Sequence, residues 1–355
     1  MGYYKIGFRP AEPYFLGNEK NFKYPGQNNG GEYANSYFIR GENVPSQTTI
    51  LGSLRFLLLP YVKENFDYTA EEKTANEEAT GKCSFQAENT EVQSFGWIKQ
   101  MSPVFLTDHT GRKYIPCPMD HRKSQEKYSP FKDYKGVNSS GGERLYAADY
   151  SVKDGLEDGY LCLETCEVIE LSDIFRSVMR IGINRGEREN GFFKKEYKLL
   201  DSKYAFSVLA EIGLPEERRI TGKHVITMGQ GKSPFSVEIT EVEDSAMEEF
   251  KDEIVSAISS EHRHGCSMIY CPGDAFVNCN PCEETSFAAY STRDYRAFTR
   301  SAESNWKVNK GSTLFRMLKA GSIFLTDKPE EWIERQCNPN AQQIGFNQFI
   351  IAGGK

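Results

Sequence analysis

The sequence predicts an α+β fold dominated by antiparallel sheet. Three observations carry that expectation. Short apolar or alternating stretches recur along the chain, bounded by Gly, Pro, Asn and Asp, as strands and turns require. Only three segments show helical spacing: 47–59, 172–179 and 245–259. Strands do not alternate regularly with helices, which sets the pattern apart from a parallel βαβ sheet. The 355 residues suffice for two cores, and the expected division is 1–200 and 201–355.

In chain order, Tyr3 to Phe8 alternates as a strand, and Tyr14 to Leu16 stops at the turn signal Gly17-Asn18. Residues 18–33 are rich in Asn and Gly and read as loop. Ser46 is suited to cap a helix whose Ile50, Leu51, Leu54, Leu57 and Leu58 share one face. Gly52 within it suggests close approach of another backbone, and Arg55 sits at the margin of the apolar face. Residues 64–91 are acidic and poor in large aliphatics, hence an exposed excursion. Strands are expected over 95–106, 113–115 and 160–168, with polar loop over 121–143 and a short helix from Ser172 to Met179. Ile181 to Leu199 reads as a protruding β-hairpin with a basic tip. Further strands are expected at 205–212, 224–227, 235–240, 267–270, 322–326 and 348–352. Met247, Phe250, Ile254, Ala257 and Ile258 make the stripe of the clearest helix.

The net charge of −7 argues on its face against a polyanionic partner. Its distribution changes that. The stretches 64–91 and 241–261 carry balances of −6 and −7, so the rest of the chain is at +6, with +5 in 291–320 alone. Arg293, Arg296 and Arg300 there suit either RNA or an acidic partner. The densest apolar run, Leu54 to Leu59, is far short of the ~20 residues that span a bilayer. The first ten residues lack a secretory signal pattern. The expectation is a cytoplasmic protein with reduced cysteines.

Enzyme motifs fail on spacing. Gly229-Gln230-Gly231-Lys232-Ser233 ends like a phosphate-binding P-loop, but Ile226 stands where the first Gly belongs, and Pro234 breaks a dinucleotide fingerprint. His121, flanked by Asp120 and Arg122, is the best candidate for acid–base RNA cleavage, with His224 behind it. An exposed loop histidine is the simpler expectation for His121. Cys279-x-x-Cys282 has zinc-knuckle spacing, with Cys266 and Cys271 as further ligands and His262 and His264 as spares. Cys266 and Cys271 flank a strand, which tends to separate their thiols. A structural zinc is the one cofactor suggested. Two segments combine cations, flexible Gly and, in the first, aromatics, as single-stranded RNA recognition demands: Arg185 to Lys195 and Met228 to Lys232.

Several pieces taken in order resemble the third subunit of type III-B CRISPR (Cmr) effector complexes, a RAMP protein. They are Pro13-Tyr14-Phe15-Leu16-Gly17, Pro45-Ser46 through Leu54-Arg55, Ile115 to Asp120, Ile181 to Tyr197, Met228 to Phe235, Trp306 to Phe324 and Gly345-Phe346-Asn347. They cover about half the chain. Gln230 and Asn347 stand where the family has Gly. The acidic insert and the cysteine cluster are not family features. The resemblance implies two ferredoxin-like (RRM-like) domains with long inserted loops. It implies a ribonucleoprotein role in antiviral defence, binding the 5′ handle of the guide RNA without catalysis. The implied protein partners are the large polymerase-like subunit and backbone RAMP subunits. On this reading Ser46, Thr49 and Arg55 meet phosphate at the helix start, Arg185, Phe192, Phe193 and Lys194 wedge against handle nucleotides, and Gly229, Gln230, Gly231 and Lys232 line the handle backbone. Two other readings stay open: a RAMP endoribonuclease that processes guide precursors, and a scaffold that contacts proteins only.

Overall fold

The computed structural model describes residues 1–17, 36–61, 77–81, 84–89, 91–124, 127–139, 142–151, 153, 158–185, 190–215, 219–229, 231–259, 265–296, 298–300, 308–310 and 313–353. The first strand, Gly2–Pro10, buries Tyr4, Ile6 and Phe8 on one face by the two-residue period of a strand. It lies between two antiparallel partners, Tyr204–Ile212 and Ser233–Val242. Beyond Tyr204–Ile212 come Phe105–Asp108 and Ile98–Met101. Within this set Gly2–Pro10 is central, flanked by Tyr204–Ile212 and Ser233–Val242, with Phe105–Asp108 beyond Tyr204–Ile212. This is the ferredoxin-like order, and the helix Gln47–Leu58 follows the first strand as that order requires. Lys113–Pro116, Gly159–Cys162 and Val168–Glu170 extend one side of the sheet, and Gly222–Met228 extends the other.

A smaller sheet repeats the order. Ser267–Tyr270 sits between Ile323–Thr326 and Ile350–Ala352, with Phe287–Ala289 outermost and the helix Pro329–Gln336 between the third and fourth strands. The α+β class with mostly antiparallel sheets is thus the observed architecture. The large sheet crosses the expected division at 200/201: the chain leaves it only after Val242, because the first strand needs neighbours from both sides of that position.

Alternation along the strands builds the layers. Phe206, Val208, Ala210 and Ile212 join Ile50, Leu51, Leu54 and Leu58 of the helix in one core. Leu209, Phe105, Ile115 and Leu161 point the other way. They meet Met268, Tyr270, Ile323 and Leu325 of the small sheet, together with Met247, Phe250 and Ile254 of the helix Ala246–Ile258. The outer face of the small sheet carries Ile269 and Phe324, which pack on Trp332 of the helix Pro329–Gln336.

Several local expectations are corrected. The described residues of 121–143 are mostly strand rather than loop: they contribute to two hairpins, His121–Ser124 with Lys127–Pro130 and Tyr134–Ser139 with Gly142–Ala147. The helix expected through Met179 is a single turn, Leu171–Ile174. From Phe175 the chain is strand, because an antiparallel partner from Asn190 to Leu200 offers a continuous ladder. Gly52 faces open space rather than a neighbouring backbone. The described part of the acidic insert turns back into the core: Ala79 and Phe85 are buried, and Phe85 packs on Phe95, Phe276 and Phe346. Among the described residues no helix is long and apolar enough to cross a membrane.

Candidate nucleic-acid interface

The hairpin predicted from sequence is present, with Phe175–Arg185 paired to Asn190–Leu200 and Ser36–Ile39 added in parallel. Its register sorts the side chains. Arg176, Val178 and Arg180 share a face with Leu199, Tyr197 and Lys195. Ser177, Met179 and Ile181 share the other with Lys198, Glu196 and Lys194. On this second face Ile181 is 70% exposed and Met179 48%, beside the exposed Lys194. Lys198 and Ser177 both bond the Glu196 carboxylate. Burial alone would raise its pKa, but these hydrogen bonds outweigh burial and hold it below the usual carboxylate range.

The root of the hairpin is tied to the chain just after the first strand. Tyr14 and Lys198 exchange two backbone hydrogen bonds of 2.8 Å. This seats the buried Phe15 ring under the first face, 5.8 Å from Tyr197. Lys195 Nζ lies 3.6 Å above the Phe15 ring, and the Arg180 guanidinium lies 4.5 Å above Tyr197. Burial pushes the Lys195 amine below its ordinary pKa.

The Gly-rich turn meets the same residue. Gly229 has φ +73°, and a Cβ there would lie 2.4 Å from the Phe15 carbonyl oxygen. Lys232 N–H closes the turn on the Gly229 carbonyl at 3.1 Å, and Phe15 N–H donates to Ser233 Oγ at 3.4 Å. Gly231 and Lys232 are exposed. The hairpin and the turn, separate in sequence, thus share Phe15 as a common support. Arg176 and Arg180 of the first face and Lys232 of the turn are exposed, and Lys194 is exposed on the opposite face of the hairpin.

The other expected residues divide. Ser46 caps its helix: its Oγ accepts from Thr49 N–H at 3.3 Å and lies 2.9 Å from Thr49 Oγ1, so both hydroxyls serve the cap. Arg55 lies in the last turn of the helix, not at its start, and packs its half-buried guanidinium 5.5 Å over the Phe95 ring. The hydroxyls at the helix start serve the cap. Arg185, Phe192 and Phe193 are placed in the hairpin backbone, but their side chains, like Gln230 and the tip 186–189, lie outside the described residues. Arg293 is an internal bridge to Asp274 (3.1 Å) and Glu42 (3.9 Å). Arg176 and Arg180 were not singled out from sequence, and Phe15, Lys195 and Tyr197 were marked only as members of longer segments, without individual roles. The two-residue period of the hairpin was the available signal, since it puts Lys195 and Tyr197 on one face.

The cysteines are dispersed. Cys266 is half-buried against the core between the sheets, and Cys271 is buried in the separate core on the other face of the small sheet. Cys279 Sγ accepts from Gln336 Nε2 at 3.1 Å, and Cys282 Sγ lies 3.6 Å from the Tyr290 hydroxyl. Among the described residues no three His, Cys, Asp or Glu side chains converge as a metal site. His262 and His264 lie outside them. His121 is not an exposed loop residue: it is 8% exposed, and its Nδ1 lies 2.9 Å from the fully buried Asp120 carboxylate.

No protein-family model matches the sequence, and no curated protein is similar to it in sequence. Solved structures are similar in shape. A chain of the cryo-EM structure of the Type III-B Cmr-beta complex bound to cognate target RNA aligns over 97% of this chain and 96% of its own, with a TM-score of 0.51 at 9% identity. A chain of the same complex bound to cognate target RNA and AMPPnP, state 1, aligns over 98% and 99%, with a TM-score of 0.48 at 11% identity. A chain of the Csm3-Csm4 subcomplex of the type III-A CRISPR-Cas interference complex aligns over 91% and 92%, with a TM-score of 0.38 at 12% identity. The alignment at 0.51 establishes a common fold along nearly the whole of both chains.

Proposed function

We propose that this chain is a non-catalytic, RNA-binding subunit of a type III CRISPR effector complex, and that it holds the 5′ handle of the guide RNA. The observation that carries the reading is the shared support at Phe15, which sets the first face of the hairpin beside the Gly-rich turn. Arg176, Arg180 and Lys232 meet phosphates there, while Lys194, Met179 and Ile181 on the opposite face of the hairpin offer a cation and apolar contact to unpaired bases. Gly229 and Gly231 let the turn close on Phe15, which carries the exposed Lys232 toward the hairpin's first face. The fold held in common with a chain of Cmr-beta supports a place in such a complex; the large polymerase-like subunit and backbone RAMP subunits are the partners proposed for it from the sequence resemblance.

Filter binding of the purified chain to a handle-bearing RNA and to a scrambled one tests the proposal. Preference for the handle RNA, lost in the Arg180→Ala/Lys232→Ala variant, is the expected result. Equal, variant-insensitive binding of both RNAs refutes it.

One observation favours a second reading. Asp120 orients His121 as a general base is oriented, which is what acid–base RNA cleavage requires. Metal-independent cleavage of a guide precursor by the wild type, abolished in His121→Ala, would establish that activity instead.

A further inference from the structure

A cleft of about 250 Å³ opens at the start of the helix Gln47–Leu58, between the large sheet and the small one. Its wall is mixed: Tyr160, Phe175 and Phe346, each less than a tenth exposed, give it an apolar side, and Glu42, Asp158 and Asp274 give it carboxylates. Burial first, then the negative charges of Asp274 and Asp158, push the Tyr160 hydroxyl pKa up, so both carboxylates act on this ring. Asp274 is bridged by Arg293, which also reaches Glu42. Asp158 is exposed and makes no ion pair among the described residues.

Gln47 supplies an independent observation. It lines the cleft and is only 4% exposed. Its Nε2 donates to the carbonyls of Ser102 (3.1 Å) and Gly345 (3.3 Å), which leaves Oε1 buried without a donor. A buried acceptor without a donor marks a place where a hydrogen-bonding group is missing. The hydroxyl of the preceding residue, Ser46 Oγ, is occupied by the cap.

An anionic ligand does not suit a cleft whose wall carries Glu42, Asp158 and Asp274 against Arg293 and Lys319. A donor-rich cation with a flat apolar face does. We propose that the cleft receives an arginine side chain from a protein partner. The guanidinium lies against Tyr160 and Phe175 and donates to the Asp158 carboxylate and to Gln47 Oε1. Arginine suits this better than lysine, because its planar fork is weakly hydrated, stacks on rings and offers five N–H donors in fixed directions. This inference does not depend on RNA binding by the hairpin.

The test is titration of the full chain with capped Gly-Arg-Gly, capped Gly-Lys-Gly and guanosine 5′-monophosphate, followed by calorimetry or NMR. The arginine peptide is expected to bind at least about fivefold more tightly than the lysine peptide, and Asp158→Asn to weaken it by a similar factor. Gln47→Met, checked by thermal melting for folding, is expected to weaken it further. Equal affinity for the two peptides, no effect of Asp158→Asn, or no binding overturns the proposal. Binding of the nucleotide in place of the arginine peptide overturns it in favour of a nucleotide site.

Discussion

Asn347 and Phe276 are joined by a two-way hydrogen bond: the Asn347 side chain accepts the Phe276 N–H at 2.7 Å and donates to the Phe276 carbonyl at 2.9 Å. The amide thus does for Phe276 what a neighbouring strand does for its partner. Its Nδ2 also bonds the Gln336 carbonyl at 2.8 Å. Asn347 is fully buried at φ +48°, a left-handed conformation that Asn tolerates better than most residues.

Asn347→Gly keeps the backbone conformation and loses the three bonds, so it should cost about 2 kcal/mol by urea denaturation. Asn347→Ala loses the same bonds and adds backbone strain, so it should cost about 1 kcal/mol more. Equal stability of the two variants would show that φ is not under constraint here.

Gly229→Ala should be strongly destabilising, by about 2 kcal/mol or more, because both the positive φ and the Phe15 carbonyl oppose a Cβ. Handle-RNA affinity should fall with it. Wild-type stability would show that the turn can leave Phe15 freely.

Arg180→Ala and Lys232→Ala should each shallow the slope of log K against log[salt] by about 0.7–1 for RNA, as loss of one phosphate contact does. Arg55→Ala should leave that slope alone and lower stability by about 1 kcal/mol, since its guanidinium rests on Phe95. A slope change in Arg55→Ala would put Arg55 itself on the RNA surface.

Asp108 accepts from Thr110 N–H and hydroxyl, from Arg112 N–H and Nε, and from the Tyr114 hydroxyl. Burial raises its pKa, but these bonds prevail and hold it well below the carboxylate range. A depressed carboxylate pKa stabilises the fold above the unfolded value of about 3.9, and that contribution fades as pH falls below it. Asp108→Asn should therefore be less stable than wild type at neutral pH, by about 2 kcal/mol, with the gap narrowing in acid. A gap that stays constant from neutral pH into strong acid would contradict the assignment.

Much of this fold was legible because strands announce themselves twice, by alternation and by the turns that end them. The helix around Ser46, the long hairpin and the stripe from Met247 to Ile258 all follow from periodicity. The helices Pro329–Gln336 and Pro339–Gln343 were missed because they are too short for a period to show. Ser172 to Met179 was misread because its local pattern fits either state, and only the distant partner strand decides. The site was half legible. The sequence marks Lys194 and Gly229 by composition, whereas Phe15 matters through contacts made across the fold. Ser46 and Thr49 show the opposite failure: hydroxyls suited to phosphate are equally suited to capping their own helix.

The central position of Gly2–Pro10 also sets a timetable. Tyr4 stands opposite Ala210 on one side and Glu241 on the other, so the first strand emerges from a ribosome long before either neighbour exists. Contacts this distant in sequence fold slowly and leave apolar edges uncovered in the meantime. Tyr4, Ile6 and Phe8 must therefore be shielded during synthesis, and a ribosome that stalls before residue 233 releases a chain whose middle strand is open along one edge.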